Sequence, residues 1–367
     1  MFKFLNLQPE IFGVDVNDLS LRVVKLVKSR KGFKLASYNE LALRAGIINE
    51  GVIQDQDALA NALKKACSGV KGKKLETKHA IVSLPEEKSF SQVISLPRMS
   101  QKELKLAVGF EAENYIPLPM EKVYLDFQTI GSLPKEDAKH MDVLINVMPK
   151  TIVDSYVACF KKAGLKPCIM EVESQAIVRA LAPEDSGNHP VIFIDFSQTK
   201  TSFIIFSANS IRFTCSIPIS SGQLTDAIAK NLQISRAKAE ELKIKHGLVT
   251  RKGDKNHAIV AAMDPILSAL AEQIKKYISF YQGHTSREYF ASEGNIEKIV
   301  LCGGGANLQE LPDFLHKKLR IPVEIGNPFI HIAKEAGGQQ KIAPHKALSF
   351  TTALGLALRG AGQSEEL

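Results

Sequence analysis

FGVDVNDLSLRVVKL, Phe12 to Leu26, sets an apolar run with one carboxylate against a polar turn and a second apolar run. The runs Phe12–Val16 and Leu21–Val27 predict a hairpin, with Asp15 near the end of its first strand. The same pattern returns in VIFIDFSQTKTSFIIFS, Val191 to Ser207, with Asp195 in the place of Asp15. The two aspartates stand close to half the chain length apart, and an internal duplication is the economical explanation.

A chain of 367 residues exceeds the size at which one core stops growing, so two or more compact parts are predicted. Hydrophobic residues at 45% and charged residues at 23% fit a folded globular protein and exclude disordered or fibrous classes. The formal charge of +8 is scattered through helical patterns. That predicts mild attraction to acidic surfaces, a membrane leaflet as much as nucleic acid, and the partners expected from the chain as a whole include no nucleic acid. Five cysteines, widely spaced and without a C-x-x-C pair, predict small buried residues of a reducing compartment. The nine histidines show no paired ligand spacing. No apolar run of about 18 residues occurs, and MFKFLNLQPE is too short in apolar residues for a signal-peptide core. The expectation is a cytoplasmic protein that meets a membrane only through a partner.

Strand-like and helical patterns alternate throughout, which predicts mixed sheets covered by helices. Residues 57–67 read as a helix and His79 to Leu84 as a strand. A different unit begins after Pro85, where Ser100 and Glu103 form a capping box before a helix with Leu104, Val108 and Ala112 on one face. Asp142 to Met148 is a further strand, Thr151 a helix cap, and Gly164 the stop of that helix. In MEVES, Glu171 and Glu173 read as neighbours in one strand. Ser235 to His246 is a short polar helix, and Asp264-Pro265 starts a long one that ends before Gly283. EKIVLCGGGANLQELPDFL reads as strand, glycine turn and helix, and residues 348–359 as a last helix. Gly303, Gly304 and Gly305 would let backbone amides approach a phosphate or an adenosine, and by themselves would equally make a tight strand-to-helix turn. Two symmetric aspartates with a glycine turn are what a nucleotide clamped between two similar domains needs.

Taken in order, the Phe12–Leu26 stretch, SLPRMSQKELKLAVGFEAENYIPLPMEKVYLDF, KKAGLKPCIMEVESQAI, AKAEELK and VLCGGGANLQELPDFL resemble the actin and sugar kinase superfamily. Within it they resemble the PilM family of type IV pilus assembly proteins, and Leu96 to Phe127 is the specific part. The resemblance implies an α/β, actin-like (ribonuclease H-like) fold of two duplicated lobes, with a small inserted α+β subdomain as in the division protein FtsA. The first lobe would comprise 1–84, 165–188 and 345–367. The insert would be 85–164, and the second lobe 189–344 with a helical part at 226–295.

By the same resemblance the chain binds ATP with magnesium. Asp15, Asn17, Ser20 and Arg22 would form the first phosphate loop, and Asp195, Ser197 and Thr201 the second. Asp15 and Asp195 would serve the metal, Glu240 and Lys243 the ribose and base, and Gly303, Gly304 and Gly305 the adenosine. The family pattern has Gly-Ser where this chain has Asn17-Asp18, glycine at Ser197 and Gly-Gly at Ser221-Gly222. Asp18 would then sit beside the terminal phosphates, which implies weak or magnesium-dependent binding and little or no hydrolysis. The partner implied is the N-terminal cytoplasmic tail of a PilN-like inner-membrane protein, gripped by Leu96, Leu104, Val108 and Tyr115, with self-association as a further property. The alternatives are an FtsA-like membrane-associated filament, whose terminal anchor helix the polar RGAGQSEEL lacks, and a sugar-kinase-type phosphotransferase, for which no general base stands out.

Overall fold

The structure is a computed structural model that describes residues 10–30, 32–130, 139–183, 189–250, 256–284, 295–333 and 342–362. Along the chain come β1 (Phe12–Asn17), β2 (Ser20–Ser29), β3 (Gly32–Ala42), β4 (Ile48–Asn49), β5 (Val52–Ile53), α1 (Gln56–Ser68), β6 (Lys71–Gly72) and β7 (His79–Leu84). Next are β8 (Phe90–Pro97), α2 (Gln101–Ala112), β9 (Val123–Ile130), β10 (His140–Pro149), α3 (Lys150–Lys162), β11 (Lys166–Val172) and α4 (Glu173–Leu181). They are followed by β12 (Val191–Phe196), β13 (Thr201–Ser207), β14 (Ser210–Ile217), α5 (Ser221–Leu232), α6 (Arg236–His246) and α7 (His257–His284). Last come β15 (Lys298–Cys302), α8 (Leu311–Leu319), β16 (Val323–Ile325), α9 (Pro344–Ala347) and α10 (Thr351–Gly362).

Two compact units result. The first comprises Met1–Ser89, Met148–Ala182 and Asn327–Leu367, around a sheet of order β11-β7-β1-β2-β3-β6. β1 is antiparallel to β2 and parallel to β7. Because strand side chains alternate, Phe12, Val14, Val16, Leu21 and Val23 enter a core with Leu59 and Leu63 of α1 and Tyr156 and Phe160 of α3. The opposite face presents Gly13, Val24 and Leu26 to α10. A Cβ on Gly13 would come within 2.8 Å of Ala353 O and Ala357 N, and one on Gly355 within 1.8 Å of Ala176 O. Glycine at both positions lets α10 lie directly on the sheet and on α4.

The second unit comprises Phe90–Val147 and Pro183–Gly326. Its five-stranded sheet has the order β14-β13-β12-β15-β16. Read from the other side, this repeats β11-β7-β1-β2-β3, with a hairpin whose first strand also pairs in parallel, so the duplication expected from Asp15 and Asp195 is a property of the fold. Residues 90–147 of the unit form a three-stranded sheet, β8-β10-β9, packed on α2 around Ile94, Leu104, Val108, Val143 and Ile145. Arg212 of β14 ties this subdomain to the larger sheet, with Nη1 3.2 Å from Asp142 Oδ2 in β10 and Nε donating to Ser207 O at 3.2 Å. Burial pushes the Asp142 carboxyl above its ordinary value, with Arg212 opposing.

The insert expected at 85–164 differs from this grouping at its far end, because α3 seats Ile152, Tyr156, Cys159 and Phe160 in the first unit's core. Residues 327–344, expected in the second lobe, group with the first unit, where Ile332 and Ile342 join the core under α10. The Ser100–Glu103 capping box forms with both bonds in place. Thr151 is no cap, since α3 starts at Lys150 directly after Pro149. α7 begins at His257, ahead of Asp264-Pro265, because Ile259, Ala262 and Met263 add a buried turn that outweighs the bond lost at the proline. Gly283 lies inside the last turn of α7. Glu173 opens α4 and is not a strand neighbour of Glu171, which is ion-paired to Arg179 and Arg359. Cys159 and Cys302 are buried, but Cys168 is exposed and all five thiols are free.

α2 carries apolar residues on two faces with opposite fates. Leu104 is fully buried, whereas Leu106 is 68% and Phe110 74% exposed. Leu104→Ala is expected to cost about 2–5 kcal/mol in chemical denaturation, and Phe110→Ala less than about 0.5 kcal/mol. Equal losses for both would mean that the exposed face is also packed.

Candidate functional site

Asp15 is the last inward residue of β1 on the α10 face, one register step beyond the glycine that α10 covers. It is 1% exposed. Its Oδ2 accepts from Asn17 Nδ2 at 2.8 Å and lies 3.5 Å from Arg22 Nη1, and its Oδ1 accepts from Ser83 Oγ at 3.2 Å. Arg22 is the antiparallel partner of Asp15 on β2, which explains the pairing. Arg22 also grips Glu40, Nε at 3.1 Å and Nη2 at 3.0 Å, and Glu40 Oε2 accepts from Lys346 Nζ at 2.8 Å. The result is a chain of alternating charge, Asp15, Arg22, Glu40 and Lys346. Burial works to raise the Glu40 carboxyl, but the hydrogen bonds and charges of Lys346 and Arg22 outweigh it and hold the group below the ordinary glutamate range. A pocket of about 310 Å³ lies beside this chain, lined by Tyr38, Glu40, Lys71, His345, Lys346 and Phe350 among others.

In the second unit Ser202 takes the register position that Arg22 holds in the first. Asp195 therefore has a hydroxyl-bearing strand partner and accepts from Ser197 Oγ at 2.7 Å on Oδ1. The loop is closed by backbone bonds, Ser197 N to Lys200 O at 3.0 Å, Ser221 N to Ser197 O at 2.9 Å and Gly222 N to Gln198 O at 3.1 Å. Thr201 is fully buried and donates to Ile219 O at 2.5 Å, so it shapes the loop. Gly303 has φ +80°, and a Cβ there would fall 2.0 Å from Asp195 Oδ1. A Cβ on Gly305 would fall 2.7 Å from Phe196 O and Ser221 Cβ. These two glycines are required by the packing of the turn, and Gly304 between them is exposed.

Glu240 and Lys243 meet the same loop from α6. Lys243 Nζ donates to Ser221 O and Oγ, both at 3.0 Å, and to Thr225 Oγ1 at 2.8 Å, and pairs with Glu240 Oε2 at 2.8 Å. Thr225 also hydrogen-bonds Glu240. Burial pulls the Lys243 ammonium below its ordinary value, with the Glu240 carboxylate opposing. The structure thus brings Asp195, Ser197, Gly303, Gly305, Ser221, Glu240 and Lys243 together around one loop. Ser221, expected only as a departure from a glycine pair, is the residue through which the lysine is anchored.

Asp18, expected beside the terminal phosphates, has both carboxylate oxygens engaged within the first unit. Its Oδ2 accepts from Glu50 N at 2.9 Å and its Oδ1 from Gly51 N at 3.0 Å, two donors that the tight β4–β5 turn leaves without a strand partner. Ser20 lies in the first residue pair after this turn. Among the described residues no group of three or more His, Cys, Asp or Glu is placed to hold a metal ion. The guanidinium beside Asp15 and the amide and hydroxyl on its oxygens do not fit direct magnesium ligation, which wants unshared oxygen donors. Of the residues expected to grip a partner, Leu96, Leu104 and Val108 belong to the subdomain core and Tyr115 is 44% exposed. Leu106 and Phe110, one helical turn apart on the outer face of α2, are not among the residues expected to grip a partner, and their sequence signal is that they are apolar outside the Leu104–Val108 stripe.

The paired sheets with their aspartate hairpins define an actin-like protein. Comparison with known proteins agrees: the model of the type IV pilus assembly protein PilM family matches residues 13–361, and the chain belongs to that family. A solved PilM-PilN type IV pilus biogenesis complex superposes with a TM-score of 0.79 at 24% identity, covering 96% of this chain and 98% of that one. MreB5 of Spiroplasma citri bound to ADP superposes with a TM-score of 0.59 at 12% identity, over 98% of each chain. At these identities the likeness concerns the fold. Cell division protein FtsA of Neisseria meningitidis serogroup B is 26% identical over 220 residues, 56% of this chain and 51% of the relative. The chain spans about half the length of the first curated relatives it matches.

Glu40 gives the first half-site a pH dependence. Because its folded carboxyl is held below the ordinary value, its contribution to stability is present above that value and is lost as pH falls through the folded one. Glu40→Gln is expected to flatten the acid limb of the melting-temperature profile and to leave the neutral plateau lower. An unchanged acid limb would show that other carboxylates govern it.

Proposed function

We propose that this member of the PilM family is an actin-like scaffold of the type IV pilus inner-membrane platform. It grips the N-terminal cytoplasmic tail of a PilN-like membrane protein through the 90–147 subdomain and is held at the membrane by that partner. The observation that carries this reading is the outer face of α2, where Leu106 and Phe110 remain exposed although the helix already fills the subdomain core with its other face. Exposed apolar surface of this kind marks interaction sites. β9 forms one edge of the small sheet, and an extended peptide can add there as a further strand. No helix among the described residues is long and apolar enough to cross a membrane, which is consistent with recruitment by a partner.

The nucleotide part of the proposal concerns ATP, with magnesium travelling on its phosphates rather than residing on Asp15. The exposed turn at Gly304 offers backbone to the adenosine side, and Glu240, whose side chain is 42% exposed, offers its carboxylate to ribose hydroxyls. Asp195 and Ser197 would meet the phosphate side, Asp195 through the water of the ion. No side chain of the site stands as a general base, so the nucleotide acts as a structural ligand with little or no hydrolysis.

A synthetic peptide copying the partner's tail is expected to bind the full chain with micromolar affinity or better. Leu106→Ser with Phe110→Ser should weaken it at least about tenfold without lowering the melting temperature. Normal binding by that variant would move the partner elsewhere. In calorimetry with magnesium and ATP, saturable heat that shrinks in Glu240→Ala supports the nucleotide reading. No heat with the unaltered protein would overturn it and leave the peptide result standing.

A further inference from the structure

The pocket of about 310 Å³ beside Glu40 is built wholly from the first unit, by β3, β6 and the segment that leads into α10. Its floor is apolar. Ile342 and Phe350 are each 1% exposed in the core under α10, and Tyr38 sets its ring edge-on to Phe350, with centroids 6.1 Å apart and planes at 76°. Its rim is cationic. Lys71 and Lys346 are both exposed, and Lys71 Nζ stands 5.9 Å from the centroid of the Tyr38 ring.

Both lysines stand on fixed backbone. Lys71 is the antiparallel partner of Tyr38, and the next residue, Gly72, has φ +95° and lies so close to β3 that a Cβ there would fall 2.2 Å from Ala36 O. Lys73 N donates to Ala36 O at 3.0 Å and Ser37 Oγ donates to Lys73 O, so successive residues clamp β6 against β3. On the other side Lys346 lies in α9, next to the buried Ala347 and Leu348, and its carbonyl accepts from Ser349 Oγ at 2.7 Å.

The charges at this rim do not cancel. Glu40 is the one carboxylate among the described residues that line the pocket, and both of its oxygens are taken, Oε1 by Arg22 and Oε2 by Lys346. Arg22 in turn faces Asp15, so Asp15 and Glu40 balance Arg22 and Lys346. Lys71 is the surplus, since it has no ion pair among the described residues and its recorded contact is the Tyr38 ring.

We propose that this pocket binds a small organic anion with a flat apolar body, in its simplest form an aryl carboxylate, with the carboxylate at Lys71 and the ring against Tyr38, Ile342 and Phe350. Ligand pockets of about 300–1,000 Å³ join apolar walls with a few placed polar groups, and this one stands at the small end, with room for one or two rings. The carboxylate answers the surplus charge through a charge-assisted bond, and the ring removes apolar wall from water. A neutral ring gains only the second of these contacts, and a bare anion only the first. The site is independent of the tail peptide and of the nucleotide.

Titration of the full chain, followed by the methyl resonance of Ile342 and by calorimetry, tests the proposal with 2-naphthoate as probe. Its controls are 2-naphthamide, which keeps the rings without the charge, and acetate, which keeps the charge without the rings. Naphthoate is expected to saturate at submillimolar concentration and to move the Ile342 methyl, with both controls at least about tenfold weaker. Lys71→Gln, a change on the exposed rim, is expected to weaken naphthoate about tenfold and to leave naphthamide and the melting temperature unchanged. Added salt should weaken naphthoate and not naphthamide. Absence of saturable naphthoate binding, or binding that leaves the Ile342 methyl unmoved, overturns the site. Equal binding of either control, or full naphthoate affinity in Lys71→Gln, overturns the assigned chemistry.

Discussion

α10 can lie on the first sheet and on α4 only because Gly13 of β1 and Gly355 of α10 carry no side chain, and this close approach covers the face of β1 on which Asp15 stands. The helix packs on Val24, Leu26 and the glycine of β1, and Asp15 is the next residue of β1 on that face. Asp15 is thereby left buried at the rim of a covered face, where an unpaired carboxylate would be costly. Its antiparallel neighbour on β2 meets that demand with a guanidinium, and Glu40 and Lys346 extend the pairing until it reaches solvent.

The second sheet repeats the backbone arrangement and not the charges. Where β2 offers Arg22, β13 offers Ser202, and α6 brings Lys243 to the loop. Lys243 does not touch the aspartate loop as a free charge, because it is spent on Ser221, Thr225 and Glu240. Duplicated backbones have thus diverged around an equivalent aspartate: the neighbouring strand gives Asp15 a guanidinium and Asp195 a hydroxyl, and a glycine turn packs against Asp195.

The 90–147 subdomain illustrates how one helix serves two purposes. Leu104, Val108 and Ala112 complete a small core with the three-stranded sheet, and the turn between them leaves Leu106 and Phe110 outward. A core of this size stands against the large sheet partly through Arg212 and Asp142, a buried ion pair whose worth lies more in fixing orientation than in net stability.

Local pattern was enough for the elements that are strongly periodic. The alternation around Asp15 and Asp195, the Ser100–Glu103 box and the glycine turn after Lys298–Cys302 were legible because hydrophobic period, capping and φ > 0 are properties of neighbouring residues. The same holds for the duplication and for the family, which rest on the order of such elements. What the sequence could not decide is where side chains of equal chemistry end up. Leu104 and Leu106 are alike in type and separate only when a sheet packs on one face of α2. Asp18 looks like a phosphate-side charge until a distant turn presents two amides to it, and Pro265 looks like a helix start until a buried turn forms ahead of it. Each of these outcomes depends on a partner remote in sequence. Burial and hydrogen-bond satisfaction, the terms that choose among locally equivalent positions, exist only once the chain has folded.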